Sequence, residues 1–245
     1  CPVPLNLSAD LVNSVKGVSK EECLSGLERT NGGELKCVDK VVLDSQKGLI
    51  SELIKLLAKS IAEGRGVVGV SLPVRIFEPR SLIERIIDWW GYGPIFLKAA
   101  AKKSSVIDRI KLIVTYSIAG MHAGVSLYKP FNPLLGETYQ GIFEDGAIIN
   151  CEHISHHPPI SFFIVQGEGY RVSGYYEFFA KTNFNYNEIT MYTLGDTTIE
   201  FDDGMKFILR LPAAKLKGMM FGDKATKFSG ALSVWNEKAG IKAGQ

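Results

Sequence analysis

The chain has 245 residues, 46% hydrophobic and 22% charged, enough for one large domain or two small ones around a sizeable core. A formal net charge of +2 with no dense Lys/Arg run argues against a nucleic-acid binder, which needs a basic face to neutralise phosphates. No 18-residue uncharged apolar stretch predicts a transmembrane helix, and Cys1, Cys23, Cys37 and Cys151 lack CxxC spacing, which suits a reducing cytosol.

Residues 1–48, broken by "NGGE", predict an irregular N-terminal arm. In "LISELIKLLAKSIAEG" the residues Ile50, Leu53, Ile54, Leu57 and Ile61 follow the i, i+3, i+4, i+7, i+11 pattern of an amphipathic helix, which Gly64 and Gly66 stop. "VVGVSLPVRIFEPRS" reads as extended, because Pro73 and Pro79 bias the residues before them away from helix. "SLIERIIDWW" and "SSVIDRIKLIVTYSIAGM" predict two further helices, the first ended by the "GYGP" breaker. From Gly136 onward, short aromatic and β-branched runs alternate around turns at Glu144-Asp145-Gly146, Gly167-Glu168-Gly169 and Asp202-Asp203-Gly204. That texture predicts an antiparallel meander, curved or closed. The chain begins at Cys1 and stops at "EKAGIKAGQ" amid strand-like sequence, so it reads as a fragment.

Three of the four histidines fall within "CEHISHHPPISFF", residues 151–163. Cys151, His153, His156 and His157 count as metal-ligand types. Adjacent histidines on an extended strand point opposite ways, however, and there is no HExxH, so no metal is predicted. Ser155 and Ser161 lie near the histidines without a GxSxG elbow or an orienting acid, so no catalytic residue is assigned. Taken alone, the stretch reads best as a plain turn stiffened by Pro158-Pro159. The segment "KPFNPLLGETYQG", residues 129–141, adds a second corner. There Pro130 and Pro133 restrict the backbone that carries Lys129 and Asn132. A lysine near a histidine pair suits a phosphate: a compact cation, two imidazole donors and an amide. A solvated Lys129 and an Asn132 that merely caps the turn remain open alternatives.

"EHISHHPPISFF" resembles the Glu-x-x-Ser-His-His-Pro-Pro signature of the oxysterol-binding protein family. "KPFNPLLGETY" is similar to that family's second conserved block, and "SLPVRIFEPRSLIER" to the block that follows its lid. The resemblance covers about residues 49–245. It implies an α+β, β-dominated fold: an incomplete antiparallel β-barrel enclosing a lipid tunnel, with an N-terminal lid helix and preceding helices. The implied divisions are a lid at about 49–70, a helical part at about 71–128 and barrel strands at about 134–245, the C-terminal part being missing.

Carried over by motif, Lys129, Asn132, His156 and His157 form a headgroup site for phosphatidylinositol 4-phosphate. The family completes that site with basic residues from a later segment. The tunnel takes the acyl chain or, alternatively, a sterol or another lipid such as phosphatidylserine, and the lid meets a membrane when open. The implied function is exchange of the two lipids between membranes by a monomer that uses no cofactor. It would be cytoplasmic, with peripheral membrane contact. A lipid esterase using His156 or His157 as general base and a passive lipid sensor are the alternatives.

Overall fold

Apolar residues at helical spacing produce helices where the sequence places them. The computed structural model describes residues 26–63, 72–123, 125–183, 187–218 and 222–244. The amphipathic segment forms a helix at Leu49–Ala62 (α2). Its expected apolar side chains, Ile50, Leu53, Ile54, Leu57 and Ile61, lie outside the described residues, as does the 64–70 part of the expected lid. Leu82–Trp90 (α3) buries Ile83, Ile86 and Trp90, and the Glu84 carboxylate accepts from the Ser81 backbone N–H at 2.6 Å to hold its first turn. Val106–Ala123 (α5) is the long helix of the set.

Two sequence expectations change. The "GYGP" breaker ends α3 but also starts a helix, Gly93–Ala101 (α4), because proline fits the first turn, where its missing N–H has no partner to lose. The irregular arm expected over 1–48 is ordered over 26–48. It forms strands Leu27–Arg29 (β1) and Leu35–Cys37 (β2) and a helix Lys40–Ser45 (α1), whose first N–H groups are capped by Asp39. These short strands exist through pairing with residues 225 and 226, across the chain (Ala225 with Lys36, Thr226 with Leu35), which local periodicity does not register. Residues 1–25 lie outside the described residues.

After a 3₁₀ turn at Val74–Ile76, Phe77–Ser81 (β3) pairs in parallel with Lys129–Phe131 (β4), apart from the large sheet. The large sheet continues through Thr138–Ile142 (β5), Ile148–His156 (β6), Pro159–Gly167 (β7) and Tyr170–Asn183 (β8). It goes on through Glu188–Leu194 (β9), Thr197–Phe201 (β10), Lys206–Arg210 (β11) and Ala213–Lys217 (β12). Ala225–Ser229 (β13), Ser233–Asn236 (β14) and Ile241–Gly244 (β15) follow. All of its pairings are antiparallel.

The register explains the shape. Glu177 pairs with Leu194 and Gly174 with Thr197, so β9 and β10 run along β8 in one register, interrupted at Gly195-Asp196. The next two strands break at Leu211-Pro212 and at Gly230-Ala231-Leu232, opposite one another across the ladder. The three breaks line up as a crease. Gly195 has φ +111°, and a Cβ there would lie 2.2 Å from the Tyr175 carbonyl oxygen, so only glycine fits. Among the described residues β5 pairs only with β6, and the other end finishes in β1–β2 and β15, so the sheet is unclosed. The fold class expected from sequence, strand-dominated with an incomplete antiparallel barrel, is the one observed.

Helices α3, α4 and α5 cover one face of this sheet. Ile83, Trp90, Leu97, Ile110 and Ile113 share a buried core with Ile149, Phe163, Val165, Val172, Phe207 and Val234. Buried Arg109 ties α5 to the β10–β11 turn by two bonds to Asp203, at 2.9 and 2.6 Å, and its guanidinium stacks over Phe201.

Candidate functional site

The Lys129–Asn132 corner is built on β3 and β4. Phe77 pairs with Lys129 in the parallel register, and the Phe77 ring stacks on Phe131 with centroids 4.5 Å apart. The Lys129 ammonium lies 5.1 Å from the centre of the Phe77 ring. It donates to the Asn132 side-chain oxygen at 2.9 Å and to the Pro130 carbonyl at 3.1 Å. Burial lowers the Lys129 pKa from its ordinary value, so its charge is partly stripped of water. Asn132 is exposed, while Pro133 beneath it is buried. Lys129 and Asn132, singled out from sequence, are therefore in contact.

The histidines sit at the β6–β7 hairpin, whose two-residue turn is His157-Pro158, joined by a cis peptide. Cys151 and His153 continue the buried stripe of β6, and burial pushes the Cys151 thiol up to about 12. Strict alternation would then put His153 and His156 on opposite faces. A bulge intervenes: His153 pairs with Ser161, but Ser155 pairs with Ile160 and His156 with Pro159, leaving Ile154 as the extra residue. The bulge restores His156 to the face of His153. His153 Nε2 lies 3.2 Å from His156 Nδ1, and His153 Nδ1 lies 3.0 Å from Ser161 Oγ. The His156 and His157 rings are 5.2 Å apart, edge to face, and both residues are exposed.

The two corners are tied through the loop between them. The Gly136 N–H donates to the His153 carbonyl, and the His153 N–H donates to the Glu137 carbonyl, each at 2.9 Å. Glu137 accepts from the Leu134 N–H at 2.8 Å and so closes the turn four residues past Pro133. The loop leaving Asn132 is thus paired to the strand that ends in His156. Three residues enter the site without a sequence assignment to it: Phe77, His153 and Ser161. Phe77 stands in a segment that reads as extended and resembles a family block, without any site role. Sequence spacing offers His153 only as a metal-ligand type, because alternation gives no hint of the bulge that brings His156 onto its face.

An unclosed antiparallel sheet whose paired-histidine hairpin is tied by a loop to a lysine–asparagine corner on a separate strand pair defines a class that comparison with known proteins identifies. Residues 52–244 match the family described as oxysterol-binding protein, and the chain belongs to that family. Among curated relatives, oxysterol-binding protein 9 of Dictyostelium discoideum is 36% identical over 212 residues, covering 86% of this chain and 49% of that protein. Oxysterol-binding protein-related protein 8 of Homo sapiens is 31% identical, covering 81% of this chain and 24% of that protein. The chain therefore spans half or less of the length of these relatives. Among solved structures, the Osh3 ORD of Saccharomyces cerevisiae in complex with PI(4)P superposes with a TM-score of 0.67 at 26% identity, over 78% of this chain and 51% of that one. The Osh1 ORD in complex with ergosterol superposes at 0.65 with 22% identity, over 81% of this chain and 52% of that one, a likeness of fold.

Proposed function

We propose that this chain belongs to a lipid-binding and lipid-transfer domain. It would hold the phosphatidylinositol 4-phosphate headgroup on Lys129, Asn132, His156 and His157 and exchange that lipid for a sterol. The observation that carries the reading is the partly desolvated Lys129 ammonium, braced by Asn132 on a loop paired to the strand of the two exposed imidazoles. Family membership and the likeness to an Osh3 domain holding PI(4)P support it.

A cation held away from water costs free energy when unpaired, and an arriving phosphate offsets that cost. Hydrogen bonds from Lys129 and from protonated imidazoles to a phosphate oxygen are charge-assisted, about twice as strong as neutral ones. The corner is stiff because two prolines and the Phe77–Phe131 stack restrict it, so little freedom is lost when the headgroup arrives. A lipid tail burying on the order of 300 Å² of apolar surface would gain about 7 kcal/mol before entropic losses, so exchange into water is slow. Helix α2 serves as the lid, opening against a membrane, and the working form is a monomer at the cytoplasmic surface of membranes.

The esterase reading fits the site less well. With His156 or His157 as general base it needs a nucleophile against one of those rings, whereas the Ser161 hydroxyl, 1% exposed, lies 3.0 Å from the equally buried His153. Incubating the full-length protein with two liposome populations, one carrying labelled phosphatidylinositol 4-phosphate and the other sterol, separates the readings. Intact lipids exchanged between the populations is the expected result; released fatty acid or headgroup would refute transfer without chemistry.

A further inference from the structure

His153 touches solvent hardly at all, yet one of its nitrogens contacts an exposed histidine of the site. Resting on the headgroup reading above, we infer that His153 is a positioning residue: anchored by Ser161, it grips His156 through Nδ1 and holds the His156 Nε2–H outward, toward the phosphate. Three observations carry this. Both His153 and Ser161 are 1% exposed, so neither exchanges its partner for water. Both His153 nitrogens are engaged, at 3.0 Å by Ser161 Oγ and at 3.2 Å by His156 Nδ1. The Ile154 bulge, which costs β6 a ladder position, is what brings the two rings to one face.

The proton bookkeeping gives the pairing its function. With neutral His156, the Ser161 hydroxyl donates to His153 Nδ1, His153 Nε2–H donates to His156 Nδ1, and His156 Nε2 carries the outward hydrogen. When His156 takes a proton, its Nδ1–H donates to His153 Nε2. The His153 proton then sits on Nδ1 and is given to Ser161 Oγ, since a hydroxyl both donates and accepts. The outward Nε2–H survives in both arrangements. A third arrangement, neutral His156 with its proton on Nδ1, turns a lone pair toward the phosphate and is the one that binding excludes. The groups facing His153 are His156 on its own strand, Ser161 on β7 and Glu137 on the paired loop. Burial and the neighbouring His156 lower the His153 pKa, which keeps it neutral, as the relay requires.

Two measurements on the full-length protein test this. The first is histidine nitrogen NMR at about pH 7.5, above the ordinary histidine range, with soluble glycerophosphoinositol 4-phosphate bound. It should find His153 neutral and His156 carrying hydrogen on Nε2. A cationic His153, or a neutral His156 with its proton on Nδ1, would overturn the inference. The second is headgroup affinity in variants. His153→Leu should weaken it about tenfold while sterol binding persists, and His153→Gln, whose amide donates to His156 and whose oxygen accepts from Ser161, should return it to within about twofold. Unchanged affinity in His153→Leu, alongside a large loss in His156→Ala, would overturn the positioning role alone. Unchanged affinity in His156→Ala would remove the headgroup assignment itself, and this inference with it.

Discussion

At the scale of single residues, burial disfavours the charged forms of Lys129 and His153. Lys129 is the clearest: burial lowers its pKa, and the partners found for it are neutral oxygens, with an aromatic face nearby. Lys129→Ala should reduce phosphatidylinositol 4-phosphate affinity by roughly 10- to 100-fold, the worth of one hydrogen bond to a charged group, and leave sterol affinity within about twofold. Equilibrium binding to each lipid checks it. The histidines make a second prediction. Burial depresses both His153 and His122 below the ordinary 6.5. The unfolded chain therefore binds more protons than the folded one just below that value, and stability falls as pH drops through it. Urea unfolding between about pH 8 and pH 5 should show this loss, and His153→Gln should show a smaller one. A loss of the same size in the variant would assign the effect elsewhere.

At the scale of elements, α2 is fastened at its start. Arg75, in the turn before β3, pairs with Glu52 in the first turn of α2 and donates to the Lys47 carbonyl at 3.1 Å. Two residues on, Phe77 stacks against the strand that carries Lys129. Helix α2 and the Lys129 corner thus share one short segment. Arg75→Ala should raise amide exchange in α2 and speed lipid loss to acceptor liposomes several-fold, with little change in global stability, because an exposed ion pair is worth under about 1 kcal/mol. Hydrogen exchange and transfer kinetics measure both.

Much of this layer was legible beforehand. The backbone of α2, the α3 and α5 helices and the three glycine turns of the meander follow from periodicities of 3.6 and 2 and from turn chemistry. What stayed hidden depends on context. Gly93-Pro94 reads as a stop and serves as a start, β1 and β2 exist through a distant β13, and the Ile154 bulge has no glycine to announce it. The site split the same way: Lys129 with Asn132 and His156 with His157 were readable from motif, whereas His153 and Ser161 belong to it through tertiary packing alone.

At the scale of the whole molecule, the strand ladders are interrupted along one line, at Gly195, Pro212 and Gly230. Gly195 is the tightest point, and Gly195→Ala should cost about 3 kcal/mol, since a backbone oxygen blocks the added methyl. At Gly230, where φ is also positive but a Cβ would meet nothing within 4 Å, the same change should cost only about 1 kcal/mol. Equal losses in denaturant unfolding would remove the crease from the account.

The loop that leaves Asn132 pairs with the strand that ends in His156, and the functional reading depends on the two corners it ties together. The most direct test is extraction of lipid from liposomes by the full-length His156→Ala/His157→Ala protein. The account predicts that phosphatidylinositol 4-phosphate extraction is abolished while sterol extraction continues at nearly the wild-type level. Equal loss of both lipids by a folded variant, or undiminished extraction of the phosphoinositide, would contradict it.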